Sequence, residues 1–404
     1  MLGKPALQGI KIADFSWVGA GPRATKDLGD HGATVVKIES SKRVDLTRLT
    51  SPFKDGKFNV NSSGFFVHQN SSKYSATLNL QHPKGIEIAK RFVAWSDVVL
   101  ENYGYGFMER MGLSYNDLMK VKPDIIMVSI SIGGRTGPLA NFRGYGNAAA
   151  ALSGHAELTG WPDRSPLIPP ITFGDIITPL FAVIAVLAAV EYKNRTGKGQ
   201  YIDISQLETM VQFIAPAYLD YCANVRKQTR IGNRSPRAVP HGAFPCKEEN
   251  SWCTIVVADN NEWQSFCEAI GREDLLSDPR FTTFADRKTH EDELEKIVAN
   301  WTKTNTKEMV LDKLKKAGIE AYPVQNAKEL LEDPQFIERE VFVKLHHPVI
   351  GSCNHQSPPM KLSKTPPDVR PAPCLGEHNY YVYTELLGMS QEEFVELLNK
   401  GVFE

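Results

Sequence analysis

The chain has 404 residues, of which 42% are hydrophobic and 23% are charged, and its formal net charge at pH 7 is −1. This composition excludes a disordered chain and is sufficient for two domains, each with its own core. The near-zero charge excludes a broad basic surface, so we expect no nucleic-acid partner and no membrane partner, although local basic clusters can still bind a small phosphorylated ligand.

The first third of the chain alternates β-rich segments with helical ones, which predicts a parallel sheet flanked by helices. A helix is predicted over residues 86–95, behind Pro83. The predicted strands are residues 10–15, 33–39, 76–80, 97–101 and 124–130. The layout is Rossmann-like, but Pro22 and Arg23 follow the glycines after the first strand, where a dinucleotide motif needs its third glycine. NAD and FAD are therefore not expected.

An apolar run from Ile176 to Val190 predicts a buried core helix, since it is shorter than the ~20 residues that cross a bilayer. Asp175 stands at the start of this run, after Gly174. Taken alone, Asp175 is best interpreted as a helix N-cap. The alternative is a nucleophile, because the free N–H groups at a helix start keep a carboxylate ionised beside an apolar pocket.

The middle of the chain predicts a second, smaller α+β unit. A strand at 201–204 and a helix from Gln206 precede a basic segment, residues 224–245, whose Pro, Gly and Asn content indicates a linker. The unit that follows has predicted strands at 252–258 and 320–324 and helices at 261–271, 291–301 and 306–317. A proline-rich extended stretch, 347–373, and a helix, 390–399, then return to the first domain. We therefore divide the chain into residues 1–224, 225–330 and 331–404.

The six cysteines are scattered, with no CxxC pair and no histidine at metal-binding spacing. This distribution predicts free thiols, no disulfide and no metal site. The first fifteen residues lack the continuous apolar segment of a secretory signal, so a cytoplasmic location is expected.

Five motifs occur in a fixed order along the chain: GIKIADFSWVGAGP, HGATVVKIES, ENYGYGFMERMGLSY, GDIITPLFAVIAVLAAVEYKNRTGKGQYIDIS and LGEH. In this order and spacing the chain resembles the family III CoA-transferases, the formyl-CoA and carnitine CoA-transferase group, over nearly its whole length. The resemblance implies that Asp175 attacks an acyl-CoA to form a mixed anhydride, then an enzyme-bound CoA thioester, from which an acid takes the CoA. It also implies an acyl-CoA substrate and no permanently bound cofactor.

The resemblance also implies which residues contact CoA. Arg110 and Asn102 match CoA-contacting positions of the family, and Arg143 and Tyr145 stand where the formyl-CoA enzymes have a lysine and a tyrosine. An arginine can bind a phosphate through two hydrogen bonds. The family often has an arginine for the nucleotide end of CoA after the second strand, and here one of two later residues is expected to replace it: Lys42 or Arg43.

The chain departs from the family pattern around the acyl pocket. Gly19 replaces a glutamine of the formyl-CoA enzymes, and Trp17 replaces a histidine. The glycine-rich loop that shields the formyl enzyme has no equivalent, since the corresponding region is residues 240–244. Together with Phe15, Trp17 indicates a larger, aromatic acid, such as benzylsuccinate with succinyl-CoA as donor. The late Gly-Glu-His motif, residues 376–378, is interpreted as structural or interfacial.

Two alternatives remain open. An α-methylacyl-CoA racemase would share the fold but needs a His/Asp pair, and where racemases have a Gly-His-Asp stretch this chain has Gly144-Tyr145-Gly146-Asn147, which lacks the partner base. A heteromeric transferase would make this chain the catalytic subunit, because Asp175 is present. The resemblance otherwise implies a homodimer of two interlocked chains, with stability tied to assembly.

Overall fold

The computed structural model describes residues 4–169 and 171–404. The chain divides into two compact units, the first formed by Met1–Ala156, Ile168–Lys227 and Gln335–Glu404, and the second by Glu157–Leu167 and Gln228–Pro334. The boundaries predicted at 224/225 and 330/331 lie within four residues of two of these junctions. The second unit also takes in the short segment 157–167, which the sequence division leaves in the first domain.

The first unit is built on a six-stranded parallel sheet. Its strands are β1 (Lys11–Asp14), β2 (Thr34–Glu39), β3 (Lys73–Thr77), β4 (Val98–Glu101), β5 (Ile126–Ser131) and β6 (Tyr201–Ser205). Their spatial order is β3-β2-β1-β4-β5-β6, with every neighbouring pair parallel. This is the order of a Rossmann-type doubly wound sheet, so the predicted fold class is confirmed. The order reverses between β1 and β4, where such sheets open a crevice.

Helices cover both faces of this sheet. From the amino terminus they are α1 (Ala20–Asp30), α2 (Gly64–Gln69), α3 (Pro83–Trp95), α4 (Phe107–Arg110), α5 (Tyr115–Val121), α6 (Gly146–Leu152), α7 (His155–Leu158), α8 (Phe173–Thr196), α9 (Gln206–Val211) and α10 (Ala215–Asn224). The helix predicted at 86–95 is confirmed, and Pro83 occupies its first turn. Two apolar cores result, one on each face of the sheet.

The predicted strand at 76–80 is wrong by three residues, because β3 begins at Lys73. The sequence hides this strand because it carries Lys73 and Ser75, both buried. Lys73 is tolerated in the interior because its Nζ lies 2.9 Å from the Asp14 carboxylate on β1. Because a buried strand is predicted from its apolar residues, a lysine at such a position makes the strand difficult to recognise in the sequence.

Helix α8 is longer and less buried than predicted. It has 24 residues and its N-cap is Thr172, so Asp175 lies in the first turn and the N-cap interpretation is wrong. One side packs in the core, but Ile176, Leu180 and Ile184 are 44%, 52% and 65% exposed. Within the described part of the chain, α8 is the one helix whose length and apolar composition would suffice to cross a membrane, and 39% of its most apolar stretch is buried.

The second unit has a three-stranded antiparallel sheet in the order β7-β8-β9. Its elements are β7 (His241–Pro245), β8 (Trp252–Val256), α11 (Asn260–Ile270), α12 (Phe284–Thr289), α13 (Glu291–Thr302), α14 (Lys307–Lys316), β9 (Glu320–Pro323) and α15 (Ala327–Glu332). Strand β7 lies within the predicted linker, which is a correction. Gly242 and Pro245 made this segment look like a linker in the sequence. Strand β7 lies at the edge of the sheet, where proline is allowed.

The carboxyl-terminal segment returns to the first unit. It forms α16 (Pro334–Glu338), β10 (Phe342–His347), β11 (Gly351–Gln356) and α17 (Gln391–Asn399). Strands β10 and β11 pair as an antiparallel hairpin, and β11 lies within the stretch predicted to be extended from residue 347. The late motif lies against β3: Gly376 N–H donates to Ser75 Oγ at 3.0 Å, and Ser75 N–H donates to His378 Nδ1 at 3.2 Å.

Candidate active site

The loops after β1 and β4 are joined to each other at the crevice. Trp17 N–H donates to Asn102 Oδ1 at 2.7 Å, and Asn102 Nδ2 donates back to the Trp17 carbonyl at 2.7 Å. The Asn102 amide therefore acts like a strand residue that extends the β1–β4 pairing by one step. This double hydrogen bond fixes Trp17 at the reversal point of the sheet, where ligands bind in this type of fold.

A cleft of about 740 Å³ opens at this point, within the first unit. All the site residues that the sequence singles out line it: Trp17, Gly19, Lys42, Arg43, Asn102, Arg110, Arg143, Tyr145 and Asp175. They come from five separate segments of the chain, so only the fold brings them together. Gln206 also lines the cleft and was not predicted as a site residue.

Asp175 lies where the amino termini of four helices converge. It is in the first turn of α8, and its carboxylate accepts hydrogen bonds from the backbone N–H groups of Ala20 and Gly146, the first residues of α1 and α6. Gln206 Nε2 donates to Asp175 Oδ1 at 2.9 Å, from the first residue of α9. The two backbone donors belong to helix starts, where N–H groups lack intrahelical partners and carry partial positive charge, so they stabilise an anion.

Two glycines make this approach sterically feasible. A Cβ atom on Gly19 would lie 2.5 Å from Asp175 Cγ, and one on Gly146 would lie 2.9 Å from Asp175 Oδ2. Both distances are too short for a real side chain. Gly19 was predicted to alter the acyl pocket, and the structure gives it a second effect, because its missing side chain leaves room for the carboxylate itself.

The pKa of Asp175 is raised from its ordinary value, because burial disfavours the charged form. The hydrogen bonds from Gln206 and Thr172 oppose this effect and lower the pKa. None of the main causes of the shift at Asp175 is a lysine or an arginine. The carboxylate is thus held by dipoles rather than by a counter-ion, which leaves an oxygen available for attack on an electrophile.

The cationic side chains of the cleft differ in their partners. Lys42 is ion-paired with Glu404, whereas the Arg43 guanidinium lies 5.3 Å from the centre of the Trp17 ring. Arg110 Nη1 donates to the Tyr105 carbonyl at 3.4 Å. Arg43, Arg110 and Arg143 are exposed, and none has a carboxylate partner among the described residues. Such guanidinium groups suit phosphate oxygens.

A buried ion pair supports the loop between β1 and α1. Asp45 accepts the Val18 N–H at 3.2 Å from each oxygen, and Lys37 Nζ lies 2.9 Å from Asp45 Oδ2 and 2.9 Å from the Ser16 carbonyl. Val18 has φ = 63°, a strained value for a β-branched residue. The strain sits directly before Gly19 and Ala20, so Asp45 and Lys37 hold the backbone that faces Asp175.

Sequence reasoning missed Gln206 and Asp45 as parts of this site. Gln206 had a detectable signal, since it opens a helix directly after a strand of the sheet. Asp45 had none, because it follows a run of polar residues that resembles an exposed loop. Phe15, which was grouped with Trp17 as a pocket residue, is instead fully buried in a core.

Comparison with known proteins gives a consistent result. The model of CoA-transferase family III matches residues 7–379. The succinyl-CoA–D-citramalate CoA-transferase of Chloroflexus aurantiacus is 31% identical over 397 residues, covering 98% of each chain. The human succinyl-CoA:glutarate CoA-transferase is also 31% identical, over 98% of this chain and 89% of its own. A CAIB/BAIF family protein from Brucella suis superposes with a TM-score of 0.88 at 30% identity, over 95% of this chain and 100% of that one.

Proposed function

The chain belongs to CoA-transferase family III and is a CoA-transferase, and on this premise we propose that Asp175 is its covalent nucleophile. The observation that carries the proposal is the environment of the carboxylate. It lies in the cleft, accepts hydrogen bonds from backbone and side-chain donors and has no ion-pair partner among the described residues. A nucleophile needs these properties, whereas a structural carboxylate is normally paired with a cation.

The chemistry proceeds by acyl exchange on this carboxylate. An Asp175 oxygen attacks the thioester carbonyl of acyl-CoA, the C–S bond breaks, and CoA leaves as the thiolate. The thiolate then attacks the aspartyl carbonyl of the mixed anhydride and releases the donor acid, which leaves CoA on Asp175 as a thioester. The acceptor acid reverses both steps and departs as a new acyl-CoA, so no external cofactor is consumed.

The CoA moiety is held by the exposed arginines of the cleft. Arg110 and Arg143 contact CoA as the resemblance implies, with guanidinium groups suited to its phosphates, and Tyr145 borders the same space. For the nucleotide end we favour Arg43 over Lys42, because Lys42 is already paired with Glu404. The amide of Asn102 holds Trp17 through one hydrogen bond at each of its polar atoms, and we assign its part in CoA binding to the shape of this loop.

The acid substrates are dicarboxylic, with succinyl-CoA as donor. Both relatives named above carry succinyl-CoA and a dicarboxylic acid in their names. The free guanidinium groups of the cleft are suited to the second carboxylate of such an acid. Trp17 and Tyr103, whose ring centres are 5.8 Å apart, add an aromatic wall that favours an acceptor with an aromatic substituent, and benzylsuccinate is the specific candidate.

A racemase is the weaker alternative. None of the described residues that line the cleft is a histidine, so the second base of a His/Asp pair is not in place there. The stretch where racemases have Gly-His-Asp contains Gly146 here, and its backbone N–H donates to Asp175.

We also propose that the active protein is a homodimer. The exposed apolar side of α8, formed by Ile176, Leu180, Ile184 and Leu187, is continuous along about three turns of the helix. Exposed apolar surface of this kind marks an interface. Native mass spectrometry of the purified chain gives a dimer mass if the proposal is right. A monomer, or activity that appears only with a second, different subunit, would favour the heteromeric alternative.

The nucleophile is tested by trapping. The protein is incubated with succinyl-CoA and then treated with hydroxylamine, and its peptides are analysed by mass spectrometry; the adduct is expected on Asp175. An active enzyme with an unmodified Asp175 contradicts the mechanism. A panel of acceptor acids, from oxalate and glutarate to benzylsuccinate, then defines the substrate, and exclusive use of the smallest acids would exclude the aromatic acceptor.

A further inference from the structure

Gln206 contacts the carboxylate of Asp175 from a rigid position. It is the first residue of α9, directly after β6, and Ser205 caps the helix by accepting the Glu208 N–H. The Gln206 carbonyl accepts the Thr209 hydroxyl at 2.8 Å, and Thr209 in turn contacts Thr178 on α8 at 2.8 Å. The start of α9 is thereby attached to the same helix that carries Asp175.

The Gln206 side chain is almost completely enclosed. It is 6% exposed, and a Cβ atom on Gly174 would lie 2.9 Å from its Oε1. Its Nε2 donates to Asp175 Oδ1, whereas Oε1 is buried without a hydrogen-bond partner among the described residues. A carboxylate only accepts hydrogen bonds, so the amide must present its N–H₂ to Asp175. Leaving Oε1 unsatisfied has a cost, which indicates that the contact to Asp175 serves a purpose other than stability.

We propose that Gln206 is a catalytic residue of the transfer reaction, whose amide stabilises the negative charge that develops on Asp175 Oδ1. This inference rests on the proposed function, in which Asp175 is the nucleophile. It assigns the two carboxylate oxygens different tasks: Oδ1 stays bound to Gln206, and Oδ2, beside Gly146, attacks the thioester.

The charge on Oδ1 changes from step to step. In the first step Oδ2 forms a bond to the acyl carbon, the C–S bond breaks, and Oδ1 becomes a carbonyl oxygen. In the second step the CoA thiolate adds to the aspartyl carbon, and the electron pair of the C=O bond moves onto Oδ1. The bond between the aspartyl carbon and Oδ2 then breaks, and the donor acid leaves with Oδ2. A donor fixed on Oδ1 thus favours the second step over the first.

The test uses Gln206→Leu, which removes the donor, and Gln206→Met, which removes it while keeping the length of the side chain. Each variant is mixed with succinyl-CoA, quenched in acid at successive times and weighed intact, so that succinyl-enzyme and CoA-enzyme are measured separately. Removing one donor to an oxyanion typically costs ~10²–10³-fold in rate. We expect the CoA-enzyme to form slower by that factor and the succinyl-enzyme to accumulate.

The matched control is Gln212→Leu, the same change at an exposed glutamine six residues further along, which should leave both rates unchanged. Accumulation of succinyl-enzyme is a signal that a merely structural defect does not produce. The proposal is overturned if a folded Gln206 variant forms CoA-enzyme within about twofold of the unaltered protein, or if both steps slow equally. Asp175→Asn separates the two levels, because CoA-enzyme formed by that variant contradicts the proposed function itself.

Discussion

The carboxylates of the first unit fall into two groups that differ in the groups that hold them. Asp14 and Asp45 are fully buried, and each has a lysine Nζ within 2.9 Å, from Lys73 and Lys37 respectively. Asp175, at the start of α8, has backbone and amide donors instead. The pKa shifts follow this difference: burial would raise all three pKa values, but the lysines lower those of Asp14 and Asp45, whereas that of Asp175 remains raised.

The difference distinguishes a carboxylate that stabilises the structure from one that takes part in the reaction. A lysine beside a buried carboxylate keeps it ionised, but it also occupies the oxygens and forms a rigid link, as Lys37 does between Asp45 and Ser16. Dipoles from helix starts keep a carboxylate available as an anion without a strong partner that must be displaced. The ion-paired group therefore fixes the loop, and the dipole-held group is free to react.

The largest expected effect is that of Asp175→Asn on activity. Removing the nucleophile should lower kcat on the order of 10⁴-fold or more. The same change should leave stability at neutral pH unchanged or slightly increased, since it removes a partly buried charge that lacks a cation. Steady-state kinetics and urea unfolding of the same preparation check both parts. A clear loss of stability would show that Asp175 is a structural carboxylate after all.

Asp45→Asn should mainly lower stability, in contrast to Asp175→Asn, which should mainly lower activity. It leaves Lys37 charged and buried without its partner, which typically costs ~3–5 kcal/mol of stability. It also loosens the strained Val18 backbone, so activity should fall in the fraction that remains folded. Urea unfolding measures the first effect.

The control for Asp45 is Asp55→Asn. Asp55 is 70% exposed and is paired with Lys54 at 3.2 Å, so this change should cost less than ~1 kcal/mol. Equal losses for the two variants would mean that burial of the Asp45–Lys37 pair contributes nothing specific.

The two groups also predict different responses to acid. Asp175 must be ionised to attack, and its pKa is raised, so the rate of CoA-enzyme formation should fall at a pH above the 3.8 that is ordinary for an aspartate. For Asp45 the folded-state pKa is lowered, so its contribution to stability is present above the ordinary value and is lost only as the pH falls through the lowered one. Activity should therefore be lost at a higher pH than this part of the stability. Unfolding that precedes inactivation would contradict the assignment.

The parallel sheet and the positions of most elements could be predicted from the sequence, because alternating β-rich and helical segments specify a parallel sheet; the order of the strands came from the structure. The register of β3 could not, since Lys73 has the pattern of a surface residue until Asp14 is placed beside it. The site residues with a motif were identified individually, through a family resemblance. Gln206 and Asp45 were not, because their roles depend on contacts that no local pattern records, namely a hydrogen bond over 31 residues and an ion pair between strand β2 and the loop after it.

The smallest expected effect distinguishes the two cations that the sequence left as alternatives. Arg43 is exposed above Trp17 and has no carboxylate partner among the described residues, whereas Lys42 is paired with Glu404. A charge-assisted hydrogen bond to a phosphate is worth ~1.5 kcal/mol or more, so Arg43→Ala should raise KM for acyl-CoA roughly tenfold. Lys42→Ala should change it about twofold or less, because the lysine must leave Glu404 before it can bind a phosphate. Equal effects would mean that the ion pair opens when CoA binds, and a larger effect at Lys42 would reverse the assignment.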